Sequence, residues 1–475
     1  MSAGHLPETI LNLPRPLVAR VAVPRARISL RTLCGVLALA ALFAAVAAVV
    51  MFAADAPSPL VWSSRAAFPD WVAGPLRGLL GAVPHTAWQV LFGYSWLTLF
   101  ALLAYGVALA QARAVSMRAI WIFAVAICAV IVLSPPLQMT DLFNYLGYAR
   151  LWGLHGLNPY THVIASERYD PVSILASWHN WHSPYGTLFT ALSYPLAWLP
   201  LQLAYWLMKG VTVALSLVFV WLVGKCARLL GRDPRLPVLM VVANPVFLLY
   251  GVGEFHNDFF MLVPTVAAIA LLLDGRERAS GALLAAAVGV KFTVVLVLPF
   301  LMLASRSRRR LLGGVALAAL PLALMSVALF GFSLPNLAGQ SNLLTAYSLA
   351  NLLGWALGFG GGTPVLLKGL QLGVLVVAAH QLVRGRDWIS GAGWATVALI
   401  VSLGWLMPWY ILWLLPLAAL GTSVRLRRAA VALTVFAVVS FAPFTTMWMD
   451  AHGLNLLKAS PVGRAALASA RRYER

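Results

Sequence analysis

Along this chain, blocks of apolar residues long enough to cross a bilayer alternate with short polar stretches. Thr32 to Ala54 is a run of about 23 apolar and small residues, sufficient for one crossing at 1.5 Å per residue. Comparable runs recur near 86–112, 119–135, 203–223, 236–252, 259–273, 311–332, 364–383, 391–407 and 429–447, with a shorter one at 409–421. The pattern predicts an all-α, polytopic membrane protein with about 11–13 transmembrane helices. Its parts are a basic leader over 1–31, one transmembrane body over 32–447 and a basic tail over 448–475. The first run has small residues near Ala53 and Ala54 that resemble a signal-peptide cleavage site, but its apolar core is long and an uncleaved anchor is expected.

The arginines orient the runs. Arg15, Arg20, Arg25, Arg27 and Arg31 precede the first crossing, so residue 55 emerges on the extracytoplasmic side. The second run returns to Arg113 and Arg118, and the third leaves again at Pro135. The loop 136–184 is therefore extracytoplasmic and is expected to be largely helical. Tyr185 to Pro200 is only moderately apolar; as an interfacial or re-entrant helix it keeps Lys225, Arg228, Arg232 and Arg235 inside. The next runs place 251–260 outside and 274–278 inside. Continuing the count puts 333–363 and 405–410 outside, and leaves Arg464, Arg471 and Arg472 outside against the arginine bias.

The stretch 281–303 has arginines on both flanks: Arg276 and Arg278 before it, Arg306 and Arg308 to Arg310 after it. A single crossing would send every later arginine loop outside. A re-entrant hairpin of two half-helices turning near Gly289 to Lys291 keeps them cytoplasmic. Each half is about 17 Å long, too short for a core of about 30 Å. Irregular backbone at that depth must line a cavity or be buried in protein, so Lys291 is expected to face a polar cavity.

Composition sharpens this picture. The chain is 61% hydrophobic and 10% charged, with a mean hydropathy of +0.86. The net charge of +20 sits in clusters between apolar runs, which is a topology signal and not a nucleic-acid surface. The three cysteines, Cys34, Cys128 and Cys226, lie in or beside apolar runs without metal-like spacing and read as packing residues.

Only 14 of 475 residues are Asp or Glu, so each one bears on function. Asp141 follows a crossing and opens "DLFNYLGYARLW", where Tyr145 and Tyr148 share its helix face at i+4 and i+7. Either Thr140 or Asp141 caps that helix, or Asp141 is a general base whose half-shielded carboxylate takes a proton from an alcohol. The tyrosine face suits sugar binding or an interfacial anchor equally. "EFHND" opens a later crossing: Glu254, His256, Asn257 and Asp258 are costly at a membrane edge unless they line a polar cavity, although a cap by Asn257 or Asp258 is the alternative. Lys291 would bring a phosphate-binding charge to the same cavity. His162, His179 and His182 have no recognised metal spacing, so no metal site is expected and a histidine beside a phosphate is favoured.

The segments "TDLFNYLGYARLWGLHGLNPY", "WHSPYGTLF", "NPVFLLYGVGEFHNDFFML", "AAAVGVKFTVVLVLPF" and "PWYILWLLPL" occur in the order seen in membrane glycosyltransferases of the C-type fold. Over roughly 140–417 the chain most resembles the polyprenol-phosphate-mannose-dependent α-mannosyltransferases, related to glycosyltransferase family 87. The resemblance implies an integral multi-pass enzyme of a bacterial inner (plasma) membrane, with an extracytoplasmic site. Its donor would be a polyprenyl-phosphate sugar, most simply mannose, and its acceptor a glycan or glycolipid hydroxyl, with inversion, no nucleotide sugar and no organic cofactor. Asp141 would be the base. Lys291, Arg150, His256 and His182 would face the donor phosphate. Tyr145, Asn158, Tyr160, Tyr185, Glu254, Asn257, Asp258, Trp409 and Tyr410 would line the substrates. Many relatives carry a paired acid in the first loop; Asp141-Leu142-Phe143 has one, so the need for a divalent metal stays open. The rival reading is a flippase or transporter of a lipid-linked saccharide, which predicts ionisable groups spread across both leaflets, whereas here they gather at the outer edge.

Overall fold

The computed structural model describes residues 1, 29–55, 60, 69–79, 86–335, 343–358, 364–385, 387–454, 464 and 468. Most of the basic leader, parts of the 333–363 loop and most of the basic tail lie outside the described residues. Those described are helical, and no strand occurs among them.

Among the described residues, five helices are long and apolar enough to span a membrane, or seven if two bent pairs each count as one span. Four of the five are α1 (Leu30–Ala54), α2 (Ala87–Ala110), α6 (Leu201–Leu229) and α11 (Arg308–Phe330); the fifth lies within α13 (Pro364–Arg384). Five other apolar segments have 10–17 residues, so the expected eleven or more crossings are reached only if shorter helices also cross. The protein is a membrane protein on this composition. The windows of α11 and α13 are only 11% and 6% buried. Their outward leucines, such as Leu317 and Leu375, would face lipid in a bilayer.

The centre of the fold is elsewhere. Helix α7 (Arg235–Val242) bends into a π-type turn, Val246–Val252, and the residues from Val246 to Phe259 are all buried. Around them pack α6, α15 (Ile411–Leu420) and α16 (Val424–Ser440), and α8 (Asp258–Leu273) joins through Phe259, whose ring meets that of Phe247. Asn244 anchors this centre: its side chain caps the turn by accepting from the Val246 amide and donates to the hydroxyls of Tyr105 and Thr434. Short α4 (Asp141–Gly153) follows α3 (Met117–Val132) and lies against α5 (Thr187–Ser193) and the 3₁₀ turn Tyr194–Trp198. The segment 185–200 is thus two short helical pieces, neither of membrane-spanning length.

Helix α9 (Glu277–Val290) ends at Lys291, whose backbone is extended, and a 3₁₀ turn, Phe292–Val297, leads into α10 (Leu298–Ala304). The chain then reverses to the level at which it began, because the first turns of α9 and α11 lie side by side. Gly281 and Gly314 permit that approach: a Cβ on either would overlap backbone oxygen of the other helix. The loop before α5 closes the top, with the Gly186 amide donating to the Val290 carbonyl at 3.1 Å.

Replacing Gly314 with alanine is expected to cost about 1–3 kcal/mol through overpacking against the Arg278 carbonyl. The thermal midpoint of the detergent-purified protein checks this; an unchanged midpoint would contradict the close α9–α11 packing.

Candidate active site

Four segments converge at one end of α8: the first turn of α4, the loop 254–258, the break at Lys291 and the turn 408–413. Asp141 begins α4. Thr140, at the cap position, gives the helix no side-chain cap; its hydroxyl meets that of Ser177 instead. Nor does Asp141 cap. Its Oδ1 accepts from Asn144 Nδ2 at 3.3 Å, and its Oδ2 lies 3.7 Å from His256 Nδ1. Asn144 in turn accepts from the Trp178 amide, which fastens the long loop over the helix start. Burial pushes the Asp141 carboxyl up to about 6, against the pull of Lys291 and Asn144.

The loop 254–258 presents its side chains from a strained backbone. Phe255 has φ +55°, a conformation bulky residues rarely adopt, and its ring is fully buried. Lys209 of α6 packs against it: its Nζ is buried, donates to the Ser134 carbonyl at 2.6 Å and lies over the rings of Trp206 and Phe255. On either side of Phe255, Glu254 and His256 turn toward each other, with Oε2 and Nε2 3.6 Å apart. His256 stacks on Trp409, centroids 3.7 Å apart, and its Nδ1 lies 3.2 Å from the Tyr145 hydroxyl. That hydroxyl also accepts from the Asn257 amide. Burial, then the Lys291 charge, holds the imidazole well below its usual range, so it is neutral.

Asp258 begins α8, fully buried, and its carboxylate is saturated. Lys291 Nζ donates to both oxygens, at 2.8 and 2.9 Å, and Trp413 Nε1 donates to Oδ1 at 2.6 Å. Tyr410 stacks on Trp413, and both rings lie beside the Lys291 ammonium. Neither Asn257 nor Asp258 caps α8 through its side chain. Lys291 side-chain exposure is 22%, so one edge of the ion pair is open. Tyr185 completes the wall, its ring edge-on to Tyr145 at 5.0 Å.

Four of the residues expected at the site stand apart from this cluster. Arg150 lies nine residues beyond Asp141, about 13 Å along the helix. Its guanidinium is spent on Asp170, which also receives His155. Asn158 donates to the Phe330 carbonyl and accepts from the Tyr160 amide, and the Tyr160 hydroxyl donates to the Tyr185 carbonyl. His182 bonds the Thr161 carbonyl. A fifth, His256, is only 1% exposed; its Nδ1 meets the Tyr145 hydroxyl and its Nε2 faces Glu254 at 3.6 Å, so the ring is enclosed by protein. Among the described residues no three His, Cys, Asp or Glu side chains form a metal-binding group.

The sequence reading missed Asn144, Lys209 and Trp413. Asn144 and Trp413 follow Asp141 and Tyr410 at i+3, a spacing that puts each on its neighbour's face. Lys209 is a lysine inside an apolar run, and that was the available signal.

The family described as MptA_B, alpha-(1->6)-mannopyranosyltransferase N-terminal domain, matches residues 32–307, more than half of the chain. Alpha-(1->6)-mannopyranosyltransferase A of Mycobacterium tuberculosis is 26% identical over 361 residues, covering 66% of this chain and 68% of that protein. The protein of the same name from Corynebacterium glutamicum is 27% identical over 175 residues, 36% of this chain and 35% of its own length. Alpha-(1->6)-mannopyranosyltransferase B of C. glutamicum is 24% identical over 343 residues, 61% and 57% of the two chains. No solved structure is detectably similar. The matched family region carries Asp141, the Glu254–Asp258 loop and Lys291, and the chain belongs to the MptA_B family of α-(1→6)-mannopyranosyltransferases.

Proposed function

We propose that this protein transfers a single mannosyl unit from a polyprenyl-phosphate mannose to a hydroxyl of an extracytoplasmic glycan or glycolipid, within a C-type fold and the inner membrane of a bacterium. One observation carries the assignment of roles. Of the three acids in the cluster, Glu254 and Asp258 are 1% and 0% exposed, whereas Asp141 keeps 15% of its side chain open. Only Asp141 is within reach of a substrate.

Asp141 takes the proton from the acceptor hydroxyl as that oxygen attacks the anomeric carbon. The bond from that carbon to the phosphate oxygen breaks, the electron pair leaves with polyprenyl phosphate, and the configuration inverts. Lys291 keeps a proton and an open edge for the leaving phosphate, while Asp258 and Trp413 hold the ammonium in place. Tyr145, Tyr185, Trp409 and Tyr410 form an aromatic wall suited to sugar faces. A narrow apolar cleft of about 30 Å³, lined by Met261, Thr265, Val297, Leu399, Trp413 and Leu417, runs along α8. The orientation that puts Asp141 outside rests on the arginine pattern.

Three outcomes follow. In lipid nanodiscs with synthetic polyprenyl-phosphate mannose and a panel of glycoside acceptors, Asp141→Asn should lower kcat by about 10²- to 10⁴-fold with donor binding retained. Donor bound but never consumed by the wild type, whatever the acceptor, would favour transport instead. Because the base must be ionised, kcat of the wild type should fall as pH drops through about 6, the position of the Asp141 carboxyl. A profile flat from pH 5 to 8 would remove Asp141 from that role. Lys291→Met alone strands a buried carboxylate, at a cost of about 3–5 kcal/mol. The double variant Lys291→Met/Asp258→Asn should regain stability yet bind donor about tenfold or more weakly, since a charged hydrogen bond is worth about 1.5–3 kcal/mol; unchanged donor affinity would contradict a phosphate role for Lys291.

A further inference from the structure

Glu254 is absent from the mechanism above, yet it is the most anomalous group near it. Its carboxyl is 1% exposed, and among the described residues the Met139 amide approaches it as a donor without a well-formed hydrogen bond to either oxygen. His256 Nε2 and Asn257 Nδ2, in the same loop, are likewise buried and unpartnered. An orphaned buried polar atom costs about 1–3 kcal/mol, and four in three residues demand a reason. The nearest polar atom to carry one is across the gap: Glu254 Oε2 and His256 Nε2 are 3.6 Å apart, a few tenths of an ångström beyond a hydrogen bond. Such contacts commonly tighten when substrate closes a site.

The charges nearby decide which atom holds the proton. Glu254 faces Asp141, the hydroxyls of Tyr94, Tyr145 and Tyr250, and the Met139 amide. No cation lies among these. His256 faces Asp141 and Tyr145 through Nδ1, and the Lys291 ammonium reaches it from the break. Asp258, the remaining acid, is neutralised by Lys291. Burial, then the Asp141 charge, raises the Glu254 carboxyl well above its usual range.

We propose that Glu254 is a positioning residue kept as a neutral acid, which donates its proton as a hydrogen bond to His256 Nε2 and so fixes the tautomer whose Nδ1–H points at Asp141. No proton leaves either group. The imidazole, clamped flat on Trp409, thereby presents a donor and never a lone pair to the Asp141 carboxylate. The donor favours the ionised base, and the neutral Glu254 adds no second charge beside it. The inference rests on Asp141 being the base and adds how its ionisation is held.

A glutamine at 254 keeps an N–H donor for Nε2 without any charge; a leucine keeps neither. The test is the pH dependence of kcat for Glu254→Gln and Glu254→Leu, run beside Asp141→Asn in nanodiscs with polyprenyl-phosphate mannose. Glu254→Gln should keep kcat within about threefold, with the acid limb where the wild type has it. Glu254→Leu should lose about tenfold or more, part of the roughly 10²- to 10⁴-fold that a positioned base supplies, with its acid limb moved up by about one unit. Glu254→Gln moving the limb downward would mean that an ionised Glu254 had been removed, and Glu254→Gln as inactive as Glu254→Leu would mean that its carboxylate is needed; either overturns the proposal. If Glu254→Leu does not fold, the Glu254→Gln profile alone decides. An active Asp141→Asn would instead sink the base reading on which the inference rests.

Discussion

A carboxylate without solvent is tenable only if it is paired and both oxygens have donors, and Asp258 sets that requirement at the centre of this protein. It begins α8 in the most buried part of the fold, where the Lys291 ammonium and the Trp413 indole satisfy it. Satisfying it fixes the rest. Lys291 must sit where α9 stops, so the helix breaks there and the chain turns back. Trp413 must face inward, which sets the turn before α15 and brings Trp409 onto His256. His256 then stands between Asp141 and Glu254. The arrangement of the candidate site is thus the packing solution to one buried ion pair.

The same constraint separates the three acids. Asp258 is neutralised by a full ion pair, Glu254 has no cation and stays protonated, and Asp141 is half-shielded with an open edge. Three carboxyl groups gathered at one end of α8, two of them facing the same imidazole, are set to different tasks by what surrounds them. Strain at Phe255 belongs to this arrangement. Its left-handed backbone lets Glu254 and His256, two residues apart, face one another, and the Lys209 Nζ lies over its ring.

Much of the scaffold is legible in the sequence, because helix periodicity and loop arginines are local signals. The i, i+4, i+7 face that puts Tyr145 beside Asp141 is one such case. The halt of α9 at Lys291 is another, since arginines flank a run too short to cross twice. What periodicity cannot give is the partner across the fold. Lys291 reads as a free cation until Asp258, 33 residues earlier, is seen to hold it. Arg150 enters the expected site only through the family resemblance, whereas nine residues of rise beyond Asp141 carry it to Asp170. Asn158 and Tyr160 sit in a motif that suggests substrate, whereas their polar atoms fasten a turn to the end of α11. In each case a polar residue has one strong bond to spend, and the three-dimensional neighbour that takes it is not written nearby.

The central claim is that the open edge of Asp141 meets the acceptor hydroxyl while Lys291 meets the donor phosphate. Its most direct test is a cryo-electron microscopy structure in nanodiscs with an unreactive polyprenyl-phosphonate mannose and a bound acceptor glycoside. The account predicts an acceptor hydroxyl within about 2.6–3.2 Å of an Asp141 carboxylate oxygen, with the phosphonate beside Lys291 Nζ. A donor seated with its phosphonate at the opposite end of α8, away from both residues, would contradict it.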